Sequence, residues 1–205
     1  VYQAVLFDFG GVVTTSPFDS FARYEADNGL PAGLIRRINS TNPDTNAWAR
    51  LERNEVDRAG FAGLFEAEAK ALGYEVSAPA VLACLDGRLR PRMVSAIERL
   101  AAGPHKLGLL TNNLIGHDSP ITGMEVVLGW FDAVVESSKV GVRKPEPRFY
   151  ELACELLGVS PAACVFLDDL GVNLKPAAAM GMRTIKVVDA DAALDELGEL
   201  VGLSL

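Results

Sequence analysis

The chain has 205 residues, 49% of them apolar and 22% charged, a globular composition that excludes disorder, a collagen-like repeat and a coiled-coil rod. Nineteen Lys and Arg face 27 Asp and Glu, a net charge of −8, so neither nucleic acid nor an anionic membrane is an expected partner, because such binding runs on cationic charge.

The first apolar run, Val1 to Phe7, is dense in β-formers and stops at Asp8, with Gly10-Gly11 following. It predicts a buried strand ending in a tight turn. From Ser16 to Gly87 no strand is expected. Helical stripes occupy that stretch instead: Phe18, Phe21 and Tyr24; Leu34, Ile35 and Ile38; Phe61, Leu64, Phe65 and Leu72. Asp57 is the expected N-cap of the third helix, and Ser77 of a fourth ending near Leu85. Pro91 opens a helix marked by Met93, Val94, Ile97, Leu100 and Ala101. Leu107–Leu110 before Thr111 and Ala133–Val135 before Glu136 read as further strands. A helix carrying Phe149, Leu152, Ala153 and Leu156 comes next. Cys164–Leu167 before Asp168 and Thr184–Val188 before Asp189 complete the strands, and an acidic helix runs from Ala192 to Leu200.

Unbroken apolar runs suit strands covered on both faces, and their alternation with helices predicts a doubly wound α/β parallel sheet. The expected organisation is an α/β core of residues 1–15 and 88–205 with an inserted all-helical cap over 16–87. Crossings near Thr15 and Gly87 would be its hinges. Cys84, Cys154 and Cys164 lie irregularly among apolar neighbours and read as buried thiols of a reducing compartment. No run approaches the roughly 20 apolar residues that span a bilayer, and the first residues do not read as a signal peptide. A cytoplasmic protein is the expectation.

Ligands of open α/β sheets bind beyond the carboxyl ends of the strands. Asp8, Thr111-Asn112-Asn113 and Asp168-Asp169 should therefore gather there, joined by Lys144 from Lys144-Pro145-Glu146-Pro147. Carboxylates this close repel one another unless a cation lies among them. An oxygen-rich set suits Mg²⁺, which engages phosphate oxygens. One carboxylate can attack phosphorus and form an aspartyl-phosphate, with Lys144 answering the phosphoryl charge.

The order of these motifs resembles the haloacid dehalogenase superfamily, in the branch with a helical cap between its first two motifs. The matching segments are Leu6-Phe7-Asp8-Phe9-Gly10-Gly11-Val12, Leu109-Leu110-Thr111-Asn112, Gly141-Val142-Arg143-Lys144-Pro145-Glu146-Pro147 and Phe166-Leu167-Asp168-Asp169-Leu170-Gly171-Val172-Asn173. The fourth is similar to the N-terminal phosphatase domain of soluble epoxide hydrolases. The resemblance implies Asp8 as nucleophile and metal ligand, with the Gly10 carbonyl and Asp169 as further Mg²⁺ ligands. Asp168 would assist the metal through water or from behind. Thr111, Asn112 and Lys144 would hold the substrate's phosphate, with Thr111 and Lys144 serving catalysis. Asn173 stands where many relatives carry an acid. The implied activity is a Mg²⁺-dependent phosphatase of small phosphorylated metabolites.

One position departs from that pattern. Most phosphatases of the superfamily carry an aspartate two residues after the nucleophile to protonate the leaving group, and here Gly10 stands in its place. A leaving group that needs no proton, a cap residue or His117 would meet the need. Metal-independent 2-haloacid dehalogenation and phosphometabolite or protein binding without turnover are the alternatives. On the cap, Trp48, Arg50, Glu52 and Arg53 are expected to pack and to form surface ion pairs.

Overall fold

The computed structural model describes residues 2–114 and 121–205. Its centre is a five-stranded sheet, all parallel, in the order β3-β2-β1-β4-β5. The strands are β1 (Ala4–Phe7), β2 (Lys106–Thr111), β3 (Ala133–Glu136), β4 (Cys164–Asp168) and β5 (Arg183–Lys186). Every residue of β1 and β4 is buried, as strands covered by helices on both faces must be.

The period of two divides the core. Val5, Phe7, Leu107, Leu109, Val165 and Leu167 point to one face. There they meet α6 (Pro91–Ala101) and α11 (Ala190–Val201). Ala4, Leu6, Leu110, Cys164 and Phe166 point to the other, against α9 (Pro147–Leu157) and α10 (Gly171–Ala179). Gly108 lies in this second layer, where a Cβ would come within 2.6 Å of Leu6 Cδ2 and 3.1 Å of Leu157 Cδ1. Two short helices, α7 (Met124–Leu128) and α8 (Ser137–Val140), flank β3.

Residues 17–83 form α1 (Pro17–Asp27), α2 (Leu34–Ser40), α3 (Ala47–Glu52), α4 (Arg58–Ala71) and α5 (Ala78–Ala83). No strand occurs among them. Their buried side chains make a third cluster around Phe21, Ile35, Phe61 and Phe65, with Trp48 packed edge-on against Phe21 and Phe61. Asp57 and Ser77 accept from the backbone N–H of Gly60 and Ala80, as expected of N-caps. The two chain crossings lie side by side. Thr14 bridges Leu89 in antiparallel fashion, and Thr15 N–H donates to Arg88 O at 2.8 Å.

Cys154 and Cys164 are buried, while Cys84 is half-buried, its thiol donating to Ala80 O. Among the described residues no helix is long and apolar enough to cross a membrane.

Candidate active site

Central β1 ends between β2 and β4, so the residues that follow these three strands share one crevice. Asp8 follows Phe7, and its backbone N–H donates to Leu167 O at 2.9 Å. The chain then turns tightly through Phe9–Val13, closed by Thr14 N–H donating to Phe9 O at 3.0 Å. Gly10 has ordinary extended angles, φ −71° and ψ 124°. Gly11 has φ 83°, and a Cβ there would lie 2.4 Å from Asp169 Oδ2. Both its backbone and its neighbour therefore require glycine.

Lys144 is the pivot of the crevice. It is 1% exposed, a rare state for a lysine without partners. Its ammonium lies 2.5 Å from Asp8 Oδ1 and 2.8 Å from Asp168 Oδ2. Asn112 fixes the backbone behind it, accepting from Lys144 N–H at 2.9 Å through Oδ1 and donating to Lys144 O at 3.0 Å through Nδ2. The Lys144–Pro145 bond is cis.

Asp168 is fully buried and saturated with donors. Leu170 N–H donates to Oδ1 at 2.8 Å, and Asn173 Nδ2 reaches Oδ1 at 3.0 Å and Oδ2 at 3.1 Å. Asn173 thus occupies a buried place beside Asp168 where a further acid would add repulsion. Beneath it, Tyr150 donates its hydroxyl to Asn173 O at 2.7 Å. Thr111 ends β2 and is buried, and Asn113 donates to Glu136 and accepts from Ser138.

Three carboxylates face one ammonium here. Burial raises the Asp8 carboxyl from 3.8 to about 8, and Asp168 and Asp169 add to the rise while Lys144 opposes it. Burial followed by Asp168 lifts Asp169 to about 6. Burial also works against the Lys144 ammonium, but Asp168 and Asp8 outweigh it and hold that group above its usual value. Burial lifts the Tyr150 phenol too. One oxygen from each of Asp8, Asp168 and Asp169 lies within 4.8 Å of the others. This surplus of hard oxygen and negative charge fits a divalent cation such as Mg²⁺.

Of the expected site residues, Asp8, Lys144, Asp168 and Asp169 meet in the crevice. Asn112 lies beside them with its side chain already engaged by the Lys144 backbone. His117 lies outside the described residues.

The pattern along the chain missed one acid. Glu52, expected among surface ion pairs, is buried. Its Oε2 accepts from Arg143 Nε at 2.5 Å and from Asn112 Nδ2 at 3.2 Å. The surface pairs are instead Arg50 and Arg53 with Glu55. The one signal for Glu52 is its spacing four residues after Trp48, whose Nε1 it accepts from at 3.0 Å.

A family model described as haloacid dehalogenase-like hydrolase matches residues 2–181. Bifunctional epoxide hydrolase 2 of Sus scrofa is 30% identical over 99% of this chain and 39% of its own length. Phosphatase MT3486 of Mycobacterium tuberculosis is 31% identical, covering 90% of this chain and 87% of its own. The chain spans 20% and 39% of the first curated relatives it matches. Among solved structures, a HAD-family enzyme of Bacteroides thetaiotaomicron in complex with magnesium and inorganic phosphate aligns with a TM-score of 0.62 at 18% identity. That alignment covers 91% of this chain and 94% of the other.

Proposed function

Because the chain belongs to the haloacid dehalogenase-like hydrolases, we propose that it is a Mg²⁺-dependent phosphatase of small phosphorylated metabolites, with Asp8 as nucleophile. The buried Lys144 ammonium between Asp8 and Asp168, with Asp169 alongside, carries this reading. The relative named a phosphatase, and the fold neighbour bound to magnesium and phosphate, support it.

Asp8, Asp169 and the Gly10 carbonyl would hold Mg²⁺, with Asp168 behind them. Mg²⁺ bound there supplies positive charge to the phosphoryl oxygens. Every other part of the chemistry falls to the chain. An Asp8 oxygen attacks phosphorus as the bond from phosphorus to the leaving oxygen breaks, giving an aspartyl-phosphate and the leaving group's oxyanion, which takes its proton from water. Water then cleaves that acyl-phosphate and returns Asp8 as a carboxylate. Lys144 holds Asp8 in place and stabilises the charge on the transferring group. Thr111 is read as a phosphate contact, and Asn112 as the group that sets the Lys144 backbone. Asp168 and Asn173 keep the ammonium aimed. Residues 16–87 form the cap over this crevice, and their side chains select the substrate.

The test is phosphate release from a panel of phosphate esters, spanning aryl, acyl, anomeric and alkyl leaving groups, with and without Mg²⁺. Release that needs Mg²⁺ and vanishes in Asp8→Asn is expected. Absence of release from every ester would overturn the reading, and chloride release from 2-haloacids without metal would replace it.

A further inference from the structure

Four acids of the helical segment have carboxylates that tie two places together. Glu25 accepts from Gly33 and Ile35 N–H, Glu66 from Ala78 N–H, and Glu68 from Ala47 N–H. All three serve the segment's own backbone. Glu52 alone of these four reaches out of it. Its Oε1 is anchored on Trp48, inside the aromatic cluster, and its Oε2 meets Asn112 and Arg143 of the α/β core.

Those two partners flank the pivot of the crevice. Asn112 hydrogen-bonds the N–H and the carbonyl of Lys144, and Arg143 is its chain neighbour. Arg143 is itself gripped again from the segment, donating to Pro43 O at 3.1 Å. Next along, Arg53 lies 3.6 Å from Glu146, which also accepts from Arg143 N–H. A continuous chain of polar contacts therefore runs from Trp48 through Glu52, Asn112 and the Lys144 backbone to the ammonium on Asp8. A buried, charge-assisted contact of this kind fixes geometry more firmly than a surface pair.

We infer that Glu52 is a positioning residue that acts from the helical segment on Lys144, through Asn112 and Arg143. The inference rests on the phosphatase reading of the crevice. With the segment seated, Glu52 holds the Asn112 amide in the orientation that clamps Lys144. With it lifted away, that amide loses a partner and Arg143 loses its counter-charge. Seating of the segment and aim of the ammonium are thereby one event.

The test compares wild type with Glu52→Ala, Glu52→Gln, Arg143→Met and the double variant Glu52→Ala/Arg143→Met. It measures kcat and KM for phosphate release, the affinity for inorganic phosphate with Mg²⁺, and thermal melting. Misplacing a catalytic group by about 1 Å costs up to about a hundredfold in rate. Glu52→Ala should lower kcat by about tenfold or more within that range, with KM moving less. Glu52→Gln keeps one acceptor oxygen but sets an NH2 against the donor on the other side, Trp48 or Asn112, so it should recover only part of the loss. The double variant should be no slower than the worse single one, because both break one chain of contacts.

A folded Glu52→Ala protein with unchanged kcat overturns the inference, as do single losses that multiply in the double variant. If Glu52→Ala fails to fold, Arg143→Met decides instead, since it leaves the Trp48 contact untouched. A wild type inert on every ester overturns the phosphatase reading separately. The inorganic-phosphate affinities of the same variants then decide the role of Glu52, weakened binding upholding it and equal binding overturning it.

Discussion

Lys144 is buried because two carboxylates take its ammonium, and each acid is tolerable there because the ammonium is present. Removing one partner of such a group leaves uncompensated charge, at about 3–5 kcal/mol. Lys144→Met is therefore expected to cost the metal-free protein stability of that order, read from denaturant melts, besides its turnover. Gly10 invites the opposite experiment. A Cβ there would meet only Pro17 Cδ, at 3.9 Å, and its backbone angles suit any residue. Gly10→Asp should fold normally and place a protonatable group two residues after Asp8. A positioned acid contributes about 10²–10⁴-fold. The ratio of alkyl to aryl phosphate turnover should therefore rise by about a hundredfold, and an unchanged ratio would show that another group already protonates the leaving oxygen.

At the scale of elements, the strands that carry the site were the most legible. β1, β2 and β4 are apolar runs that stop abruptly at Asp8, Thr111 and Asp168, because burial on both faces erases alternation and the crevice demands polarity at once. β5 is less so. Its strand runs over Arg183–Lys186, whereas the apolar run reads as Thr184–Val188, because an edge strand alternates; Val187 adds a last hydrogen bond to Asp168 O, and Val188 is exposed. The short helices α7 and α8, of five and four residues, show too few positions for a period to emerge. Glu52 was illegible for another reason. Its core partners are 60 and 91 residues away, and no local pattern encodes that distance. Packing between elements can be tested at Gly108. Overfilling a tight layer costs about 1–3 kcal/mol, so Gly108→Val should lower the urea midpoint without abolishing folding.

For the whole molecule, the crowded acids link stability to pH. A carboxyl whose folded value exceeds its unfolded value near 3.8 holds its proton better in the folded state. Its contribution is fully present below about pH 4 and is lost as pH rises through the folded values, about 6 for Asp169 and about 8 for Asp8. The metal-free protein should thus melt at progressively lower temperature between pH 4 and 8. Mg²⁺ should reverse that slope, since it binds the deprotonated acids and its affinity grows with pH. At 100 times its dissociation constant a ligand adds about 2.7 kcal/mol. Calorimetric scans with and without Mg²⁺ at pH 5, 6.5 and 8 check both statements, and Asp8→Asn should flatten the metal-free slope.

The position of β1 in the sheet also governs when the protein comes into being on the ribosome. The strand leading to Asp8 is made before both of its neighbours, for it lies between β2, whose Lys106 pairs with Ala4, and β4, whose Cys164 does the same. Synthesis at about 5–20 residues per second leaves its second edge open for roughly ten to thirty seconds. Through that interval the growing chain holds a wholly apolar strand with at least one unpaired edge, which sticks to whatever edge it meets. A nascent chain halted before Asp168 has Asp8 and Lys144 without the lysine's second partner, so chaperone demand should be greatest for stalled chains of intermediate length and fall once β4 has emerged.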